Sequence, residues 1–163
     1  MTDNAARNRK VIVEALTDAY AKRDFAKLEK WFAPDYVQHN PFIPAGRDGL
    51  RGYIEKLPAE RRYEAGIALA QGDVVMVHGR YAGGDRKTFI AVDIFRFEGD
   101  RVVEHWDVLQ EEVPVEKTVA GNPVHEACRV GVRSERKSMS DISHLHHSRA
   151  CPGYPAAACP RGE

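Results

Sequence analysis

The stretch FIAVDIFRFEGDRVVEHWDVLQ, residues 89–110, decides the fold. Apolar and polar side chains alternate on both sides of Gly99-Asp100, and this period of two is typical of β-strands that meet at a short turn. Two further alternating segments precede this hairpin and are separated by turn residues of the same kind. The sequence therefore predicts an antiparallel meander of four strands, at about residues 62–70, 74–81, 87–98 and 101–113.

Helices are predicted before the sheet. In the first of them, apolar side chains recur at steps of three and four residues. Pro34 and Pro58 mark the ends of the other two, since proline disfavours helical backbone in the residue before it. The three predicted helices span Asn4 to Arg23, Phe25 to Phe32 with Asp24 as the cap, and Arg47 to Leu57, with a short extended piece over Asp35 to Asn40. This order predicts an α+β domain in which helices cover one face of a curved antiparallel sheet.

Length and charge exclude several functional classes. The 163 residues suit one domain, and 24 basic side chains balance 24 acidic ones. Without a basic excess, the chain is not expected to bind nucleic acid. No apolar run approaches the roughly 18 residues of a membrane span, so no membrane partner is expected either. The sequence thus predicts a soluble, cytoplasmic protein whose partner is a small molecule.

The composition changes near residue 125. All three cysteines lie after that point, in a segment that shows neither the helical nor the strand period. We therefore predict a folded domain over residues 1–124 and an unstructured tail over residues 125–163. The tail contains metal-ligand types, but their spacing matches no standard zinc site; they are His144, His146, His147 and Cys151.

The last strand has two faces that both carry apolar residues. Val103, His105, Asp107 and Leu109 share one face, and Val102, Glu104, Trp106, Val108 and Gln110 share the other. A sheet of this kind commonly covers a core on one side and a partner subunit on the other. We expect a homodimer that packs through the Trp106 face.

The turn between the last two strands decides where Asp93 points. A two-residue Gly-Asp loop places Asp93 beside Trp106, whereas a three-residue loop with a bulge places it opposite His105. The sequence leaves both registers open, and we favour the second. In the strand before, Val74, Met76, His78 and Arg80 form one face that is expected to extend the same polar cluster.

Two segments carry a resemblance to a known family. Gln38-His39-Asn40-Pro41 and Glu104-His105-Trp106-Asp107, within residues 5–124, resemble SnoaL-like proteins of the nuclear transport factor 2-like superfamily. The resemblance implies a cone-shaped fold with a deep, mostly apolar pocket. It also implies a polyketide cyclase type of chemistry, an intramolecular aldol condensation that uses an aspartate and neither metal nor cofactor. Asp107 stands in the place of that aspartate.

The resemblance also has departures. Asp107 resembles a catalytic aspartate of limonene epoxide hydrolase, and Asn40 lies near that enzyme's water-holding asparagine. Such hydrolases use an Asp-Arg-Asp relay, and no aspartate stands two residues from Arg80 on its face. Ketosteroid isomerases carry their base as an aspartate before a proline, where this chain has Asn40 before Pro41. Isomerase chemistry is therefore disfavoured.

His105 and Asp107 are the predicted catalytic pair. Two residues apart on one strand, they share a face at roughly 7 Å between Cα atoms. A carboxylate and an imidazole suffice to remove a proton next to a carbonyl group and to protonate the new alkoxide. The predicted substrate-pocket residues are His39, Asn40, His78 and Asp93, each of which also has a purely structural interpretation as a hydrogen-bonding or core residue.

Three alternatives stay open at this point. A metal site made of His39, His78 and His105 is one of them, although its ligands would come from separate strands. The others are a non-catalytic ligand-binding or dimerisation domain and an epoxide hydrolase-like enzyme.

Overall fold

The structure is a computed structural model that describes residues 3–126. All three predicted helices and all four predicted strands are present, with ends that differ by about two residues from those predicted. The elements are α1 (Asp3–Lys22), α2 (Ala26–Trp31), β1 (Phe32–Gln38), α3 (Gly46–Glu55), β2 (Arg62–Gln71), β3 (Val74–Ala82), β4 (Phe89–Glu98), β5 (Arg101–Glu111) and a 3₁₀ turn (Val115–Lys117). The α+β class predicted from the sequence is confirmed.

The sheet has five strands in the order β1-β5-β4-β3-β2 and does not close. The expectation of an entirely antiparallel sheet was wrong, because the predicted extended piece is a full edge strand. This strand, β1, pairs in parallel with β5, with Gln38 opposite His105. The chain reaches β2 through α3, which spans the distance that a tight turn cannot. The sheet is therefore mixed, and the end of β1 lies beside the predicted catalytic strand.

The core lies between α1 and one face of the sheet, here called the inner face. Helix α1 buries its apolar stripe there, and the last turns of α3 add two more aliphatic side chains. The fully buried residues of the sheet include Phe32, Val75, Val77, Phe95 and Val102. Burial of one such side chain stabilises the fold by about 1.5–3 kcal/mol.

A bulge in β5 decides which of its side chains face inward. Glu98 pairs with Arg101 and Phe97 with Val102, as in a two-residue turn, but Arg96 then pairs with Glu104. The extra residue is Val103. Val102 is consequently buried in the core, so its predicted place on the outer face with Trp106 was wrong.

The same bulge settles the position of Asp93. Without it, the two-residue turn would have placed Asp93 opposite Trp106. With it, Asp93 pairs with Asp107 and shares the inner face with His105. The favoured face for Asp93 is confirmed, although its direct partner is Asp107 and the loop has two residues rather than three.

The chain after β5 packs back on the outer face of the sheet. His125 is buried there, and its ring centroid lies 5.3 Å from that of His78. Gly66 makes room for this contact, because a Cβ at that position would lie 2.9 Å from His125 Nε2. Cys128, Cys151, Cys159 and the His144 to His147 run lie outside the described residues, and the prediction of an unstructured tail stays a prediction. No helix among residues 3–126 is long and apolar enough to cross a membrane.

Candidate active site

A pocket of about 370 Å³ opens between the helices and the inner face of the sheet. Its walls are mostly apolar and aromatic, as is typical of sites that bind small organic molecules. Three polar side chains, Asn40, His105 and Asp107, reach one part of it. The main apolar lining residues are Leu16, Tyr20, Phe42, Ile43, Leu50, Tyr53, Leu57, Tyr81, Phe89, Phe95 and Leu109.

Asp107 is the half-buried carboxylate of this pocket. Asn40 Nδ2 donates a hydrogen bond of 2.6 Å to Asp107 Oδ2. The orientation of the Asn40 amide follows from its other contact, because Asn40 Oδ1 accepts the backbone N–H of Phe42 at 2.8 Å. Burial raises the pKa of Asp107, against smaller lowering effects from the Asn40 hydrogen bond and from His105. The carboxylate is thus a fixed base in apolar surroundings.

His105 has both ring nitrogens occupied by protein acceptors. Gln38 Oε1 accepts the backbone N–H of Asn40 at 2.9 Å, which fixes the Gln38 amide with its oxygen toward His105. His105 Nδ1 lies 2.9 Å from that oxygen and therefore donates to it. Its other nitrogen, Nε2, lies 3.4 Å from Asp93 Oδ1. Both contacts are satisfied at once when the ring carries two protons.

Asp93 is fully buried behind the pocket wall, with 0 % of its surface exposed. The hydroxyl of Tyr63 donates to its Oδ2 at 3.1 Å and the hydroxyl of Tyr81 to its Oδ1 at 3.0 Å. Burial raises the pKa of both tyrosines, so their hydroxyls remain protonated donors. The ring of Tyr63 fits because a Cβ at Gly79 would lie 2.5 Å from it. Asp93 therefore acts as an acceptor that holds His105 and two tyrosines.

Ligand atoms of Asp93, His105 and Asp107 lie within 4.8 Å of one another. The donor types would suit a divalent cation. The oxygens of Asp93, however, already accept both tyrosine hydroxyls, and Oδ1 also faces His105. A cation would have to displace these hydrogen bonds, so the residues do not fit a metal well.

Two predicted pocket residues lie outside the pocket, on the outer face of the sheet. His39 Nε2 contacts Glu104 Oε1 at 2.9 Å, and its ring stacks on Trp106 at 4.9 Å between centroids. His78 packs against His125 instead. Both predictions for the pocket were wrong because each side chain projects to the opposite side of its strand from His105. The three-histidine metal site is excluded for the same reason.

Arg80 also lies on the outer face, where it was expected to extend the polar cluster of the pocket. It donates to Glu112 at 2.8 Å and to Glu64 at 3.0 Å. These two carboxylates compensate its charge on the far side of the sheet from Asp107. No Asp-Arg-Asp relay can form with Asp107, so an epoxide hydrolase-like mechanism of that type is not supported.

Comparison with protein-family models gives a match to the SnoaL-like domain over residues 13–105, more than half of the chain. The chain belongs to the SnoaL-like family. The matched segment contains Asn40, Asp93 and His105 and ends two residues before Asp107. Among curated proteins, no sequence matches this member of the family.

Solved structures show the same fold at low sequence identity. A candidate ketosteroid isomerase from Kribbella flavida is 17% identical, with a TM-score of 0.60, over 77% of this chain and 96% of that one. A candidate polyketide cyclase from Bacillus cereus is 17% identical, with a TM-score of 0.58, over 68% and 79%. TsrD from Streptomyces laurentii is 20% identical, with a TM-score of 0.56, over 68% and 91%.

Several residues of the SnoaL-like site were not singled out from the sequence. Gln38 stands in the quoted motif, and its role becomes visible only once β1 pairs with β5. Tyr63 and Tyr81 lie at alternate positions with buried aliphatic residues, which is a signal for the inner face but not for contact with Asp93. Arg61 follows a loop and carries no sequence signal at all.

Proposed function

We propose that this SnoaL-like protein catalyses an acid–base reaction on a small hydrophobic carbonyl compound, of the intramolecular aldol type, without a cofactor. Family membership and the structural neighbours support a small-molecule cyclase or isomerase type of function. The observation that carries the finer proposal is Asp107. It is a carboxylate of raised pKa, fixed by Asn40, at the wall of an apolar pocket.

In the proposed reaction, Asp107 removes a proton from the carbon next to a carbonyl group. The resulting enolate attacks a second carbonyl of the same molecule, so one carbon–carbon bond forms and the second carbonyl oxygen becomes an alkoxide. Protonated Asp107 then returns its proton to that alkoxide, and the balance of atoms is an isomerisation. The raised pKa of Asp107 favours both steps near neutral pH.

The positive charge of His105 is proposed to assist without transferring a proton. Both its nitrogens are engaged by Gln38 and Asp93, so neither is free to exchange a proton with a substrate. A buried imidazolium beside the pocket stabilises negative charge on an enolate or alkoxide. His105 is thus a group that stabilises charge, while Asp107 is the group that moves the proton.

The simplest test is proton abstraction from a small ketone that cannot cyclise. The protein is expected to accelerate deuterium exchange at C2 of 1-tetralone, followed by NMR in heavy water. No acceleration with 1-tetralone or larger diketones would favour the alternative function, a non-catalytic binding domain of the same fold.

His105→Ala is expected to slow this exchange by no more than about 10²-fold, the low end of acid–base contributions. Because His105 lowers the pKa of Asp107, its removal should also move the acidic limb of the pH–rate profile to higher pH. The profile is measured from pH 4 to 9, in steps, for both proteins. His39→Ala, on the other face of the sheet, is the control and should change neither quantity. An unshifted profile in His105→Ala would contradict the role.

We also propose that two copies pair through the outer face of the sheet. Leu69, Met76, Ile94 and Trp106 are register partners there and form an apolar row across four strands. A two-fold axis would bring this row against itself. Trp106→Lys is expected to give a monomer in sedimentation, while Val119→Lys, at an exposed site after β5, leaves a dimer. A wild-type monomer at micromolar concentration would contradict the proposal.

A further inference from the structure

Arg61 is a buried cation in the pocket wall. Only 6 % of its surface is exposed, yet it lines the same pocket as Asp107. Its Nη1 donates to the backbone oxygen of Lys87 at 2.9 Å. Among the residues that the structure describes, no carboxylate forms an ion pair with it. A guanidinium has five N–H donors, so most of its hydrogen-bonding capacity is left for the pocket.

A buried charge without a counter-ion is unusual in a folded protein. Burial is the main cause that lowers the pKa of Arg61, and Arg86 lowers it further. Structural arginines are normally paired, as Arg80 is with Glu64 and Glu112 on the outer face. The contact with Lys87 anchors the side chain but supplies no negative charge. The pocket therefore contains a cation that is set up for an anion from outside the chain.

The charges around the pocket are unevenly distributed. Three cations line it, namely Arg61, Arg86 and Lys87, and Asp107 is the single acidic lining residue. The cations lie at the start of β4, beyond Phe89, whereas Asp107 pairs with Asp93 farther along that strand. Phe89 and Asp93 are four residues apart, which corresponds to roughly 13 Å of strand. The pocket thus has a cationic end and an acid–base end, with aromatic walls between them.

We propose that the pocket binds a substrate with a carboxylate group, which pairs with Arg61 while the carbonyl end of its apolar ring system reaches Asp107. Arginine and a carboxylate form two parallel hydrogen bonds, which suits a single buried guanidinium. Arg86 is exposed and attracts the anion at the pocket mouth. Lys87 contributes less, because it forms an ion pair with Glu111 at 2.6 Å. This inference rests on the proposed function for the role of the acid–base end, and on the pocket alone for the anion.

The test compares two probes that differ only in charge, 2-naphthoate and 2-naphthamide. Isothermal titration calorimetry at pH 7 is expected to show that the wild-type protein binds the acid roughly 10- to 100-fold more tightly than the amide. Arg61→Gln should abolish this preference, and Arg61→Lys should retain part of it. Arg86→Gln should weaken binding of the acid at low salt only, since exposed charges are screened.

Arg62→Gln is the matched control, because Arg62 is the adjacent exposed arginine and contacts only backbone oxygens of Ala59 and Arg61. It should keep the full preference for the acid. Circular dichroism spectra of all variants establish that they are folded, and Arg61→Lys keeps the test decisive if Arg61→Gln is not.

Two outcomes would overturn the proposal. One is a wild-type protein that binds 2-naphthoate no better than 2-naphthamide, whether it binds both or neither. The other is a preference for the acid that survives in a folded Arg61 variant without a positive charge. Asp107→Asn separates this test from that of the proposed function, because it removes the acid–base group and should still prefer the acid.

Discussion

Replacing Asp107 by asparagine is expected to lower the rate of deuterium exchange into 1-tetralone by about 10²- to 10⁴-fold, the range typical of a general acid–base group. The amide preserves the shape of the side chain and the contact with Asn40, but it cannot accept the substrate proton. In the wild-type protein, the acidic limb of the pH–rate profile should lie above the ordinary pKa of an aspartate, because burial raises that of Asp107. The rate is measured by NMR at several pH values.

The control for this variant is Asp100→Asn, which changes the same residue type in the exposed Gly99-Asp100 turn, where asparagine is equally suitable. Its exchange rate should equal that of the wild type. An unchanged rate in folded Asp107→Asn would contradict the assignment of the base.

The same substitution should not destabilise the protein at pH 7. A carboxyl group whose pKa is raised on folding binds more protons in the folded state, so the free energy of unfolding falls as the pH rises through the raised pKa. At neutral pH the charged Asp107 therefore opposes folding. Urea unfolding at pH 7 should show Asp107→Asn to be at least as stable as the wild type, which separates loss of activity from loss of fold.

Asp93→Ala is expected to lower the free energy of unfolding by about 3–5 kcal/mol, as for loss of one partner from a buried charged network. Tyr63, Tyr81 and His105 would each lose an acceptor in a region closed to water. Urea denaturation monitored by circular dichroism measures the change. The midpoint should fall while the slope stays constant.

Asp93→Asn is the matched comparison for this effect. Its oxygen can still accept from Tyr81 and His105, and its amide can donate to the hydroxyl of Tyr63, so the loss of stability should be much smaller. A folded Asp93→Ala protein with wild-type stability would show that the network does not hold the site together.

The elements of the fold are determined by local patterns in the sequence. The period of two in residues 62–113 specifies strands, and the turn residues Gly72, Gly84 and Gly99 separate them. The helical period of α1 and the prolines after α2 and α3 act in the same local way. Each of these patterns works through neighbouring residues alone, which is why the sequence was sufficient. The SnoaL-like resemblance and the choice of Asp107 and Asn40 for the pocket depended on such local motifs.

The direction of most functional side chains depended instead on long-range contacts. Both faces of β3 carry aliphatic residues, so alternation alone could not show that His78 would lie outside. One bulge residue, Val103, moved Val102 into the core and Asp93 onto the face of His105. Sequence period fixes which side chains share a face between irregularities, but packing against α1 decides which face is buried and where a bulge must interrupt it. Only the tertiary structure could therefore bring Gln38, Asp93 and Arg61 to the pocket of Asp107 and leave His39 and His78 outside it.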